Sequence, residues 1–318
     1  MAITTPCGLT PLAGCLVTAL RSVDLFVPDI AAARRFYTGA WGLADTGEPG
    51  TVLRASGADH HVLVLHQGPA ALHSITFRAA SAGAVGRAAE AAVRAGGRLL
   101  AAPGPVDWPG GGYGAVVADR QGRTLRLVHG DAVGTPVAAT SRPTRLAHVN
   151  INSTDTDGDA RFFAAAFGFH LSDRSKIMAF VRCNSDHHAI VIADATVNGL
   201  NHVAFMMPSL EGVMRGSGRL VDAGHPIGWG VGRHGPGDNV FAYFVDPFGI
   251  VIEYTAEVLQ VDEAYRVGGP ADWTWPPGRT DHWGIAPPKS DAVKHAQTAI
   301  PLAAFAPPSA GGRGVGAR

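Results

Sequence analysis

The sequence is poor in cysteine: Cys7, Cys15 and Cys183 are the only three in 318 residues, and none sits in a C-x-x-C arrangement. So few, so scattered, they cannot build a disulfide framework, and the expected compartment is a reducing cytoplasm. Charge is also scarce and evenly split, with 16% charged residues, 26 basic and 26 acidic, and a formal net charge of zero. That balance excludes a partner held by bulk charge, so neither nucleic acid nor a membrane surface is expected. No apolar run reaches the roughly 18 to 20 residues that span a bilayer. The apolar first twenty residues contain Leu12-Ala13-Gly14-Cys15, which looks like a lipoprotein cleavage box. No Lys or Arg precedes it and Pro6 and Pro11 interrupt the run, so the segment reads as a loose N-terminal arm.

Hydrophobic residues make up 46% of the chain, enough at this length for two domains of about 100 to 150 residues each. Histidine is the excess: 14 copies against 26 lysines and arginines together, more than solubility requires.

Two long segments read alike. Leu20 to Val27 alternates as a strand and is followed by a helix from Ile30 to Trp41; Leu146 to Asn152 repeats the strand and is followed by a helix from Ala160 to Phe167. Within each half a second unit begins, at Leu72 to Phe77 and at Leu200 to Phe205, and runs through helices at Ala84 to Ala95 and Leu210 to Ala223. Asp119-Arg120-Gln121-Gly122 and Asp246-Pro247-Phe248-Gly249 then have type I turn chemistry before a last strand. The expected fold is α+β, built from four βαβββ modules, two per half. The expected boundaries are an arm over 1–17, a first domain over 18–131, a linker over 132–144, a second domain over 145–258 and a tail over 259–318. The tail is rich in Pro, Gly and Ala and is expected to be disordered from Ala303 on.

The repeat also tests function, because positions that hold the fold should agree while positions that hold a site are free to differ. Ser22 aligns with His148, Ser74 with His202 and Arg126 with Glu253, with almost no gaps. Two imidazoles and one carboxylate form a facial triad that leaves positions open on a non-haem Fe(II). Each lies on an expected strand whose alternation points it at one concave face. A single strand histidine is ordinarily structural; three such positions all changed together in the other half point to a metal site.

Leu146-Ala147-His148-Val149-Asn150, Phe167-Gly168-Phe169, Leu200-Asn201-His202-Val203, Gly232-Arg233-His234, Tyr243 and Asp246-Pro247-x-Gly249-x-x-x-Glu253-Tyr254 together resemble type I extradiol catechol dioxygenases of the vicinal oxygen chelate superfamily. The resemblance spans residues 18 to 285. It implies two tandem vicinal-oxygen-chelate domains, each an incomplete mixed β-barrel with outer helices. It further implies Fe(II), less often Mn(II), on His148, His202 and Glu253, with a metal-free first domain. His188 matches the family's acid-base histidine, with the adjacent His187 the alternative; His234 and Tyr243 match residues that contact bound catecholate and oxygen. Asp107 and Val116 stand opposite these last two in the first half.

The implied reaction is ring cleavage beside the diol of a catechol, with both atoms of O2 inserted, as in the catabolism of aromatic hydrocarbons. Family members commonly form homo-oligomers. Two other functions fit the scaffold: a glyoxalase-like lyase or isomerase, which usually draws four ligands from paired modules, and a metal-free small-molecule-binding protein. Phe180, Met178, Trp229, Phe241 and Phe248 are candidate pocket residues and favour an aryl- or alkyl-substituted catechol over a charged one. Asp155-Thr156-Asp157-Gly158-Asp159 lacks the closing Glu of a calcium loop and reads as a helix N-terminus. Gly110 to Gly114 lacks the Lys-Ser/Thr of a phosphate loop. Trp273, Trp275 and Asp281-His282-Trp283-Gly284 read as packing, or as a lid over the site.

Overall fold

The computed structural model describes residues 8–305. Cys7 and residues 306–318 lie outside the described residues. The first half runs β1 (Val17–Val27), α1 (Ile30–Thr38), β2 (Ala44–Asp45), β3 (Thr51–Arg54), β4 (Leu63–Gln67), β5 (Ala71–Ala79), α2 (Ala82–Arg94), β6 (Arg98–Pro105), β7 (Tyr113–Ala118) and β8 (Thr124–His129). The second half repeats it: β9 (Arg145–Ser153), α3 (Thr156–Phe167), β10 (His170–Arg174), β11 (Met178–Arg182), β12 (Ile190–Asp194), β13 (Gly199–Met206), α4 (Leu210–Asp222), β14 (Trp229–Arg233), β15 (Val240–Val245) and β16 (Val251–Ala256). A short α5 (Asp291–Ala296) follows.

Each half is one eight-stranded mixed sheet, ordered β2-β3-β4-β1-β5-β8-β7-β6 and β10-β11-β12-β9-β13-β16-β15-β14. Neither closes on itself, so each is an incomplete barrel. The long strands pair alike in both halves: Ser22 faces Thr76 as His148 faces Ala204, and Asp24 faces Ser74 as Asn150 faces His202. In the next pairing Thr76 stands beside Arg126 as Ala204 stands beside Glu253.

Local chemistry sets the boundaries. α3 starts four residues before Ala160 because the Asp155 carboxylate caps it, accepting from the Gly158 amide, and it ends at Gly168 with φ of 81°. α1 ends at Thr38 rather than Trp41: the chain turns at Gly39, and Trp41 drops into the core to stack on Tyr254 at 3.9 Å. One apolar core runs through both halves, with Phe163 and Phe167 of α3 packed against Phe77 of β5. Among the described residues no helix is long and apolar enough to cross a membrane.

The described residues near both ends are held in place, while most of the segment expected to be disordered from Ala303 on lies outside the described residues. Residues 8–16 are stitched to the second half: the Leu12 amide donates to Cys183 O at 3.2 Å, the Leu16 amide to Phe167 O at 2.9 Å, and Leu9 and Leu12 are buried. Apolar burial, invisible without the partner surface, fixes residues 8–16 of the expected loose arm. At the other end Ile300 bridges to Leu200 and Leu302 to Leu72, and the Ala303 amide donates to Leu72 O at 2.9 Å, so Ala303 to Phe305 continue an ordered segment.

Charge also joins the halves. Arg123, with a fully buried side chain, bridges Asp119 and Asp159, each at 2.7 Å, and donates to Asn152 O at 2.8 Å. Arg123→Met leaves two buried carboxylates without their cation and is expected to lower unfolding free energy by about 3 to 5 kcal/mol. Urea denaturation of the two proteins checks this; equal midpoints would show that the bridge does not hold the halves together.

Candidate metal centre and substrate cavity

His148 on β9, His202 on β13 and Glu253 on β16 come from three adjacent strands and are all buried. Their facing atoms form a nearly equilateral triangle: His148 Nε2 to His202 Nε2 is 3.1 Å, His202 Nε2 to Glu253 Oε2 is 3.1 Å, and His148 Nε2 to Glu253 Oε2 is 3.3 Å. Edges of this length arise when ligand atoms sit roughly 2.1 Å from a common centre at near right angles.

The surrounding hydrogen bonds decide which nitrogens carry protons. Lys289 Nζ can only donate, and it donates to Gln297 Oε1 at 2.8 Å. Gln297 Nε2 therefore donates to Asn201 Oδ1 at 2.8 Å, and that oxygen takes its second hydrogen bond from His202 Nδ1 at 2.9 Å. The His202 proton thus sits on Nδ1, and the Nε2 lone pair faces the triangle. A second chain begins at a carboxylate, which can only accept. Asp173 Oδ2 takes the Nε2 proton of His187 at 2.8 Å, His187 Nδ1 takes the Nδ1 proton of His188 at 3.0 Å, and His188 Nε2 takes the Nδ1 proton of His148 at 3.1 Å. His148 Nε2 is again left as a lone pair.

Two lone pairs and a carboxylate thus converge, and Glu253 Oε2 is buried without a hydrogen-bond partner. Three buried acceptors facing one another repel unless a cation lies between them. The donor set and its outer partners fit a divalent metal with both histidines fixed in the metal-binding tautomer. Burial pushes His202 down to about 4, so its imidazole is neutral at physiological pH.

Further residues surround the trio. His234 Nε2 and Tyr243 Oη lie 3.0 Å apart, and His234 stacks on Phe241 at 4.0 Å. Burial lowers His234 to about 3 and, together with Glu253, raises the Tyr243 phenol well above its ordinary value. His188 lines the cavity, whereas His187 points away at Asp173 and Tyr265. Burial and the neighbouring His148 and His187 keep His188 well below the ordinary imidazole range. Asn239, fully buried, donates to Thr255 Oγ1 at 2.8 Å and to Glu253 Oε1 at 3.4 Å, fixing the carboxylate. Asn239, Asn201, Gln297, Lys289 and Asp173 escape the sequence reading; only Asn201 carries a signal, its place beside His202.

The cavity over the trio is about 480 Å³. Met178, Phe180 and Trp229 line it; Phe241 lies behind Trp229 and His234, and Phe248 packs on the main core instead. Trp273 and Trp275 of the tail form part of the wall, together with Lys176, Arg279 and Lys289. The lining is thus mixed: the apolar candidates Met178, Phe180 and Trp229 are joined by three cations that the sequence did not place there.

The first half differs in charge as well as in ligands. Ser22 and Ser74 occupy the histidine positions, and Arg126, at the Glu253 position, donates to Asp24 Oδ2 at 2.7 Å. Asp24, His66 and His73 also cluster, but that carboxylate is already neutralised by Arg126, the cation this half supplies from its own chain.

A solved Mn(II)-bound glyoxalase from Novosphingobium aromaticivorans is 34% identical, superposes with a TM-score of 0.81, and matches 87% of this chain and 94% of its own. A family profile described as Glyoxalase/Bleomycin resistance protein/Dioxygenase superfamily matches residues 145–254. The chain belongs to this superfamily. Its similarity to Metapyrocatechase 2 of Cupriavidus necator is 32% identity over 173 residues, 54% of this chain and 46% of that protein. The chain thus spans about half the length of that curated superfamily relative. Homoprotocatechuate 2,3-dioxygenase of Arthrobacter globiformis, at 22% identity, shares the fold with a TM-score of 0.79 over 92% of this chain and 94% of its own. The family profile covers the half that holds the trio, and the paired sheets are the superfamily's two-domain fold.

Proposed function

We propose that the protein is an extradiol dioxygenase that opens a catechol ring beside the diol, inserting both atoms of O2, with non-haem Fe(II) held by His148, His202 and Glu253. The observation that carries this is the convergence of two imidazole lone pairs and one buried carboxylate on a single point beneath the cavity. Two histidines and a carboxylate with open positions are the donor set of Fe(II) oxygenases, which favours iron over Mn(II). When bound, the metal supplies a redox-active Lewis acid with room for a diol and dioxygen side by side.

The chain's own residues then orient the substrate and manage its protons. Tyr243 Oη and His234 Nε2 are close enough to act on one diol oxygen, with His234 taking a proton that Tyr243 relays. His188, at the cavity wall, would hold a proton at Nε2 when its ring turns from His148 towards the reacting oxygen. Phe180, Met178 and Trp229 would flank the ring and exclude water. The reading places the enzyme in the cytoplasm, in keeping with buried free Cys15 and Cys183.

A glyoxalase-like lyase is the second reading, favoured by the Novosphingobium match. Against it, the first half presents Ser22, Ser74 and Arg126 at the corresponding positions and supplies no further ligand. Metal quantification and a catechol panel under air separate the two. Protein loaded with ferrous iron and ascorbate is expected to consume one O2 per catechol and give a yellow ring-opened product. No oxygen uptake with any catechol, together with conversion of a hemithioacetal, would establish the lyase.

A further inference from the structure

We infer that the substrate carries an anionic substituent, a carboxylate, seated against the Lys289 ammonium on the cavity wall; this rests on the ring-cleavage reading. Lys289 comes from the tail just before α5 and is partly buried. One of its protons goes to Gln297 Oε1 at 2.8 Å, and its Nζ stands 4.5 Å from the centre of the Trp229 ring. An ammonium has three protons, so donors remain for the cavity that Lys289 lines.

Nothing in the wall neutralises it. Among the described residues no carboxylate lies within 4.0 Å of Lys289, Arg279 or Lys176, all three of which line the cavity. Two carboxylates are nearby and both are engaged. Glu253 belongs to the metal trio, and Asp281 accepts the amides of Trp283 and Ala286, each at 3.1 Å. A partly desolvated cation without a counter-charge is costly, and a binding site that keeps one gains selectivity for an anion.

Position and charge agree. Trp229, against which the ammonium rests, has its ring 5.1 Å from Tyr243 and 5.3 Å from His234. Lys289 and the pair that would hold the diol thus both border Trp229 in the wall of one cavity, within which a ring substituent has to end. A divalent metal with Glu253 would leave one positive charge, and Lys289, Lys176 and Arg279 less the Asp281 carboxylate add two more around the cavity. A catecholate monoanion with a carboxylate brings two negative charges, whereas a neutral alkyl or aryl catechol leaves the lysine unmatched.

The test compares protocatechuate and homoprotocatechuate with their methyl esters. Two readouts are used: kcat/KM under air with iron, and quenching of tryptophan emission on anaerobic titration. In the unmodified enzyme each acid is expected to be preferred over its ester by about tenfold or more, the scale of a charge-assisted hydrogen bond. Lys289→Met should reduce that acid-to-ester ratio by a similar factor in both readouts, and Lys289→Arg should restore most of it. The ratio matters because Lys289 also supports Gln297, and damage to that network lowers acid and ester together. An acid-to-ester ratio near one, or a ratio unchanged in Lys289→Met, overturns the inference while leaving ring cleavage standing. Absence of turnover with every catechol overturns the ring-cleavage reading instead, and the titration then decides the anion site by itself.

Discussion

Glu253→Ala is expected to cost the protein its metal. The trio has one negative charge, and the alanine variant would leave two neutral imidazoles with no countercharge in a buried site. Loss of an outer partner alone commonly weakens metal binding by 10 to 100-fold; loss of the only anionic ligand is expected to exceed that range, with catechol turnover falling to background. Iron measured on the dialysed variant checks the prediction, and full occupancy would defeat the assignment of the trio. A second signature separates this from simple misfolding. Without metal, the native trio holds three mutually repelling acceptors, so metal-free Glu253→Ala should melt at the same temperature as the metal-free parent or higher. Glu253→Gln, which keeps the shape and loses the charge, should bind metal almost as poorly as alanine.

His188→Phe is expected to separate metal binding from turnover. If His188 carries a proton to the reacting oxygen, the variant keeps iron and loses about 100-fold or more in kcat, the scale of general acid-base catalysis. The structure gives His188 a second task, since its Nε2 accepts the His148 Nδ1 proton. A residue confined to that task would show weaker iron binding, by roughly 10 to 100-fold, and nearly normal kcat once iron saturates the site. Measuring kcat against iron concentration distinguishes them, and full kcat at saturating iron would sink the acid-base role.

The trio was within reach of the sequence because duplication supplies an internal control. Strand register repeats so faithfully that Ser22, Ser74 and Arg126 mark where His148, His202 and Glu253 must point. The residues that fix the histidine tautomers were not. Asp173 acts through His187 and His188 from another strand, and Lys289 and Gln297 belong to a tail with no repeat partner to compare. The cations of the pocket wall stay out of sight for the same reason. Its aromatic wall lies partly in the repeats, while Arg279 and Lys289 come from the tail. The N-terminal arm failed differently: nothing local shows that Leu12 will meet Cys183, because that contact exists only once both halves have folded.

The tail's path also sets a timetable. Gln297 orders Asn201 beside His202, and the next few residues pair with Leu200 of the second half and Leu72 of the first. Domains emerge and fold from the N-terminus during synthesis, so both sheets can form while the residue that orients a metal ligand is still in the ribosome. The orientation of His202 is thus settled after its own strand has formed, because Gln297 follows the last strand of the second sheet in the chain.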